Sequence, residues 1–411
     1  MSREQFIALL GGWEGYGVGA VERHEAGQDR RKAEVWIELV PFGGSPMRCS
    51  GCREEVTEVH DVWGRWVRDL PLLDAETWLL VYRRRVACPR CGPKLEELPW
   101  LGRYARVTRR LAESVARLCA VLPVKHVAKF FALGWDAVKA IDKAYLTEKL
   151  APVVLTGVEE VAMDEFAIQK GHRYATVVAE PQTRRVLWVG RGRSRQDVRP
   201  FFELLGDKGC GRLKVVVMDM NAAYDEEVRA WCPQAEIVYD LFHVVAKYGR
   251  EVIDRVRVDE ANRLHADKRA RQVIKGARWL LLRNPENLSR SEDRVRLREL
   301  LGANRKLFTV YVLKDDLKQL WEYRQIAAAL RFWEHWYRRA IRSRIEPLIR
   351  FARRLKPYLR GILNHCRWPL STGFLEGMNN KIKVIKRMAY GFRDDAYFFL
   401  KIRAAFPGNP G

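Results

Sequence analysis

Val161-Ala-Met-Asp-Glu-Phe-Ala-Ile168 and Lys214-Val-Val-Val-Met-Asp219 are apolar runs that each carry an aspartate, Asp164 inside the first and Asp219 at the end of the second. Burying a lone carboxylate is expensive, so acids at strand positions of this kind point to metal ligation. Hard oxygen ligands suit Mg2+ or Mn2+, and a pair of such ions can activate an attacking oxygen and stabilise the leaving oxygen of a phosphodiester. The surrounding chain reads as α/β. Stretches 158–168, 173–178, 186–189, 213–218 and 236–239 have strand character, with a helix near 197–205.

After Asp240 the sequence becomes almost wholly helical and rich in Arg and Lys up to Arg360, with one Asn284-Pro285 turn, and is read as a helical insertion. A last helix is expected to start near Gly373, carry Leu375 to Met388 and stop before Gly391, a residue suited to a helix end. It holds the third acid, Glu376, with Asn380, Lys383 and Arg387 on the same face at i+4, i+7 and i+11, so that one surface offers a metal ligand followed by DNA phosphate-binding groups. Far more chain separates Asp219 from Glu376 than separates Asp164 from Asp219, too much for one crossover. The insertion accounts for the excess. Asp240 and His243 follow the 236–239 strand and either border the site or act as the N-cap and second-turn residue of the next helix. In the insertion, Phe332-Trp-Glu-His-Trp-Tyr-Arg-Arg339 could stack an unpaired base and grip its phosphate. The packing reading of Trp333 and Trp336 is favoured, since aromatics on helices usually bury their area.

The first hundred residues alternate in the manner of strands, as in Thr77-Trp-Leu-Leu-Val-Tyr-Arg-Arg-Arg85. They also hold Cys49-Ser-Gly-Cys52 and Cys88-Pro-Arg-Cys91, two knuckles able to share one tetrahedral Zn2+. The distance between the knuckles requires an enlarged hairpin in place of a minimal finger, and His60 is a possible substitute ligand. The other four cysteines are scattered, which fits a reducing compartment better than a disulfide framework. Val124-Lys-His-Val-Ala-Lys-Phe-Phe-Ala-Leu-Gly134 and the residues after it place apolar positions at helical spacing on both sides of a glycine. This is the outline of a helix-turn-helix, with Lys139 and Lys143 facing DNA. An ordinary helical hairpin fits the same pattern, and only the basic balance of the chain favours the first.

That balance is large. The 411 residues hold 74 Lys and Arg against 51 Asp and Glu, a net charge of +23. Such a surplus favours a polyanionic partner held through phosphate contacts, and 48% hydrophobic content is ample for several cores. No run of 18 apolar residues appears and no charged-then-apolar signal opens the chain. The expected place is the cytoplasm, on DNA and associated with the nucleoid.

Taken together, the cysteine knuckles, Met163-Asp-Glu-Phe-Ala167, Met218-Asp-Met-Asn-Ala-Ala-Tyr224, Tyr239-Asp-Leu-Phe-His243 and Glu376-Gly-Met-Asn-Asn-Lys-Ile-Lys383 resemble the ISL-three family of bacterial insertion-sequence transposases over nearly the whole chain. The resemblance implies an RNase H-like catalytic domain of α/β class with a large helical insertion. It also implies an N-terminal four-cysteine zinc module and helix-turn-helix for terminal-repeat binding, and a DDE triad matching Asp164, Asp219 and Glu376. The expected divisions are a zinc-binding β module over 1–100, a helix-turn-helix over 101–150, the first part of the catalytic core over 151–250, the insertion over 251–360 and the last helix and tail over 361–411. The expected partners are double-stranded DNA, both element ends and target, and a second protomer at least. Two rivals stand beside this reading: a zinc-dependent DNA-binding regulator without catalysis, against which the intact acid trio argues, and an RNase H-like nuclease acting on branched DNA.

Overall fold

The computed structural model describes residues 11–27, 32–43, 46–169, 171, 173–283, 287–288, 290–370 and 373–408. The chain forms two compact units, residues 1–151 with 386–404 and residues 152–385 with 405–411. The Asn284-Pro285 turn lies outside the described residues.

In the first unit, β1 (Tyr16–His24), β2 (Glu34–Pro41), β5 (Val59–Leu72) and β6 (Ala75–Cys88) pair in the order β1-β2-β6-β5, with β7 (Gly92–Leu95) added to β6. A separate two-stranded ribbon, β3 (Met47–Arg48) with β4 (Glu55–Val56), carries the first cysteine knuckle. The strands β5 and β6, 14 residues each, form the enlarged hairpin that separates the knuckles. Alternation along β6 turns Thr77, Leu79 and Val81 inward against Ile37, Leu39 and Val67, as a half-buried strand requires. It breaks at Arg83 and Arg84, which are both buried. Arg83 donates to the Glu96 carbonyl at 3.1 Å, and Arg84 pairs with the Glu96 carboxylate.

Helices α1 (Arg109–Cys119), α2 (Val124–Phe131) and α3 (Trp135–Lys149) follow, packed through Leu111, Val115, Cys119, Val127, Phe131 and Val138. Thr108 caps α1 by accepting from the Leu111 amide, the usual N-cap geometry. The turn between α2 and α3 differs from the sequence expectation. Its left-handed residue is Ala132, at φ 51°, whereas Gly134 is the extended N-cap of α3.

The second unit is built on a five-stranded sheet of β8 (Glu160–Gln169), β9 (Arg173–Ala179), β10 (Val186–Arg191), β11 (Val215–Met218) and β12 (Glu236–Tyr239), in the order β10-β9-β8-β11-β12. The first three strands form an antiparallel meander, and β11 runs parallel to both β8 and β12. All four residues of β11 are buried, as expected of a parallel strand covered on both faces. Helix α4 (Arg195–Arg212) opens on a capping box between Ser194 and Asp197. Helices α5 (Ala222–Trp231) and α6 (Leu241–Tyr248) start directly after β11 and β12, capped by the side chains of Asn221 and Asp240.

From α6 to residue 370 the described chain is helical, with no strand. It runs through a π turn at Gly249–Ile253 into α7 (Asp254–Arg263), α8 (Lys268–Gly276), α9 (Arg278–Leu282), α10 (Ser291–Ala303), α11 (Arg305–Gln319), α12 (Ile326–Arg342), α13 (Glu346–Leu355) and α14 (Leu359–Leu363). Trp333 and Trp336 on α12 are buried at 3% and 1% exposure. The Trp336 indole donates to the Leu313 carbonyl at 2.8 Å, so the packing reading of this aromatic stripe holds. The chain then returns to the sheet edge. Asn364 donates to the Ile237 carbonyl of β12 at 2.9 Å, and a Cβ on Gly361 would lie 2.4 Å from the Tyr239 ring. Only glycine lets α14 lie that close. Helix α15 (Gly373–Met388) follows, ending before Gly391 at φ 97°, and α16 (Asp395–Ala405) closes the chain.

Candidate active site and metal centre

The four cysteines of the first unit converge. The Sγ atoms of Cys49, Cys52, Cys88 and Cys91 lie within 4.8 Å of one another, with Cys52 and Cys88 3.6 Å apart. The Gly51 amide donates to Cys49 and the Cys91 amide to Cys88, both at 3.4 Å. Burial opposes a thiolate at Cys49, but hydrogen bonds from the Cys52 and Gly51 amides and from neighbouring thiols overcome it and bring its pKa down to about 7. Four soft donors, one already disposed to ionise, fit a tetrahedral Zn2+. His60 instead contacts Asp61 on the exposed part of β5 and takes no part in the cluster.

In the second unit, β-sheet register places the acids. Met218 pairs with Met163 of β8 and with Tyr239 of β12, so the next residues, Asp164, Asp219 and Asp240, stand in line across three neighbouring strands. For β11 and β12 this is the carboxyl end, where open α/β sheets bind their ligands. Asp164 is buried, at 8% exposure. Its pKa is pushed up to about 6, chiefly by burial, with a further contribution from the Asp219 charge and opposition from His243 and the Glu165 amide.

His243, in the first turn of α6, binds Asp219 with Nδ1 to Oδ2 at 2.6 Å and faces Asp240 at 3.8 Å. Burial works against its charged form. The hydrogen bond and charge of Asp219, with the charges of Asp164 and Asp240, outweigh burial and hold the ring above its usual 6.5. Asp240 is therefore the N-cap of α6, accepting from the Phe242 amide at 3.1 Å, while His243 belongs to the acid cluster.

Helix α15 reaches the same place. Asn379 donates from Nδ2 to Asp164 Oδ2 at 2.6 Å, and its Oδ1 is buried with no hydrogen-bond partner among the described residues. Glu376, one turn earlier and exposed, shares that face. Sequence reasoning named Asn380 here and missed Asn379; the signal was its i+3 spacing from Glu376. Asn380 is exposed and accepts from Lys383 at 3.4 Å, and Arg387 is exposed near the helix end. Among the described residues, the four cysteines are the only set of three or more His, Cys, Asp or Glu ligand atoms within 4.8 Å of each other, so Asp164, Asp219 and Glu376 are not drawn into a closed cluster. Lys139 and Lys143 of α3 are both engaged by Asp394, at 3.1 and 2.9 Å.

Comparison with known proteins decides the family. Residues 161–402 match a family model described as a transposase, the DDE transposase model of ISL3. The chain belongs to the ISL3 transposase family. Residues 96–146 match the helix-turn-helix domain of transposase family ISL3, and residues 45–91 match the zinc-finger of transposases IS204, IS1001, IS1096 and IS1165. The chain is 55% identical over 410 residues, all of both proteins, to the transposase for insertion sequence element IS1001 of Bordetella parapertussis. It is 27% identical over 398 residues, 90% of this chain and 88% of the other, to the transposase for element IS1557 of Mycobacterium tuberculosis. As an ISL3-family transposase with a helix-turn-helix it has DNA as its partner, and its cysteine cluster is the zinc site of the family's ribbon. No described helix is long and apolar enough to cross a membrane.

Proposed function

We propose that Asp164, Asp219 and Glu376 are the catalytic carboxylates of this transposase, carried on an RNase H-like sheet with the helical segment as an insertion between the second and third acids. The observation that carries the reading is the meeting of three elements at one point. Asp164 on β8 and Asp219, the residue that follows β11, come next after the paired Met163 and Met218, and α15, which bears Glu376, is held against Asp164 by Asn379. The strand order, an antiparallel meander followed by two parallel strands on the far side of the first, supports the RNase H-like assignment.

The donor set suits a hard divalent cation. Asp164 is raised by burial and by its neighbour's charge, and beside it Asn379 keeps an unused oxygen, the oxygen chemistry that Mg2+ or Mn2+ takes. When bound by the three carboxylates, Mg2+ supplies charge stabilisation to the attacking and leaving oxygens of a phosphodiester. His243 fixes the Asp219 carboxylate and Asn379 fixes that of Asp164, so neither acid must reorganise when substrate arrives. Lys383 and Arg387, further along α15, are suited to the phosphate backbone as point and forked cations.

In this reading the protein binds the terminal inverted repeats of its element, with α3 as the recognition helix. It hydrolyses phosphodiesters to free 3′-hydroxyls and uses these to attack target DNA, and pairing two ends calls for at least a dimer. The test is incubation of the purified chain with DNA carrying its element's ends in Mg2+. Ends released with free 3′-hydroxyls and joined to target DNA are expected. Binding with no cleavage would favour the regulator, and cleavage of branched DNA with no joining would favour the nuclease.

A further inference from the structure

Helix α12 carries more than the buried tryptophans. Beside them opens a cavity of about 350 Å3 lined by His335, Arg338, Arg339 and Arg342 of α12, with Thr309 and Leu313 of α11 and Ser343. The spacing 335, 338 and 339, 342 puts three successive turns of one helix on one side. Of its lining residues, Leu313 is fixed in the core, its carbonyl accepting from the buried Trp336 indole. Arg339 is spent on Asp316. Among the described residues, the hydrogen bond of Arg338 is to a backbone carbonyl of its own helix, Nε donating to Glu334 at 3.3 Å. Among the described residues, neither Arg338 nor Arg342 has an acidic partner. Both hydroxyls at the rim are committed: Thr309 donates to the Arg305 carbonyl at 2.8 Å and Ser343 to the Ala340 carbonyl at 2.7 Å. What the cavity offers a ligand is therefore guanidinium and imidazole donors.

A plain structural role explains part of this cluster. Cations in the last turn of a helix are favoured by its dipole, which accounts for Arg339 and Arg342. That effect fades within one turn and leaves Arg338 and His335 unexplained. A base-stacking role is excluded, because the Trp333 and Trp336 rings are buried. The volume lies at the small end of ligand sites, and forked guanidiniums match phosphate oxygens two at a time.

We infer that this cavity is a seat for a phosphate of the DNA backbone, outside the acid site, through which the helical insertion holds the substrate. The inference rests on the reading of DNA as substrate. Arg338 and Arg342 grip the phosphate oxygens and His335 lies one turn away to donate a further bond.

The test uses the full chain with the paired change Arg338→Ala and Arg342→Ala, and measures duplex affinity across a range of NaCl. Each lost phosphate contact lowers the slope of log affinity against log salt by about 0.9. A fall of about 0.9 in the slope per bound chain, the value of one phosphate contact, is expected, with the melting temperature unchanged because both side chains are exposed. The pair Arg338→Lys and Arg342→Lys should restore most of the slope. An unchanged slope in the alanine variant, while the wild type still binds duplex in a salt-dependent way, overturns the inference and leaves the DNA reading standing. If inorganic phosphate raises the melting temperature of the wild type but not of the variant, and the slope is unchanged, the cavity is a free-anion site and the DNA assignment is overturned. A wild type with no salt-dependent duplex binding overturns the DNA reading itself.

Discussion

Replacing Asp164 with asparagine removes the charge from the most buried member of the acid site and keeps its shape: Oδ1 still accepts from the Glu165 amide, and Asn379, whose Oδ1 has no partner among the described residues, turns its amide to accept from the new Nδ2. The consequence for stability can be worked from burial. A carboxyl displaced from 3.8 to about 6 costs about 3 kcal/mol to hold ionised at pH 7. In Mg2+-free buffer at pH 7, Asp164→Asn should therefore be more stable than wild type by about 2–3 kcal/mol, or about 5–10 °C in the melting of a unit this size. The folded pKa is raised, so the penalty is fully present above it and is relieved as the carboxyl takes up a proton. The gap between variant and wild type should close as the pH falls from about 6 to about 4. Added Mg2+ should raise the wild-type midpoint and leave the variant's in place, and the variant should have no cleavage activity. The assay is calorimetry or circular dichroism melting at pH 4, 5, 6 and 7. A variant no more stable than wild type at pH 7, or midpoints that respond equally to Mg2+, would refute the claim that Asp164 is an ion held ready for a cation.

Two further outcomes follow from the first unit. One Zn2+ per chain is expected by elemental analysis, and Cys49→Ser with Cys88→Ser should abolish it and unfold the β3–β4 ribbon, since structural zinc contributes folding energy directly; zinc retained in that variant would break the assignment. Asp394, whose pKa is held below its ordinary 3.8 by bonds from Lys143, the Tyr397 amide and Lys139, should stabilise the unit at neutral pH and lose that contribution as the pH falls below about 4. Asp394→Asn keeps the helix cap and should cost about 1–2 kcal/mol at pH 7, with a difference that shrinks in acid; equal acid sensitivity of the two proteins would show that the lysine pair contributes nothing.

Strand texture and acids were legible in the sequence where the physics is local. The strands of the second unit announce themselves as short apolar runs, and a carboxylate inside or at the end of such a run has few uses besides ligation. The two cysteine knuckles carry their chemistry in their spacing. What could not be read depends on contacts between distant residues. Asn379 looks like any surface residue of a polar helix until α15 meets Asp164. Asp142 sits in α3 as an ordinary helix acid, yet it is fully buried and receives Tyr397 and Lys401 from α16. The helical pattern, tipped by the basic balance of the chain, points Lys139 and Lys143 at DNA, and it gives no sign that Asp394, far along the chain, pairs with both. Gly134 marked the turn correctly, but the left-handed conformation fell two residues earlier on Ala132, where tertiary packing of α2 and α3 overrides the residue's own preference.

The most direct test of the account is Glu376→Gln, because Glu376 is the acid delivered across the whole helical segment and its role rests on the docking of α15 at Asp164. Glutamine keeps the length and hydrogen-bonding reach and removes the charge that holds a divalent ion. With element-end DNA in Mg2+, cleavage and strand transfer should fall by at least about a thousandfold, on the order of 4 kcal/mol of transition-state stabilisation, while affinity for the ends is unchanged. Cleavage by Glu376→Gln at near wild-type rate would contradict the triad and return the third carboxylate to the insertion, where Glu334 is the next residue to test.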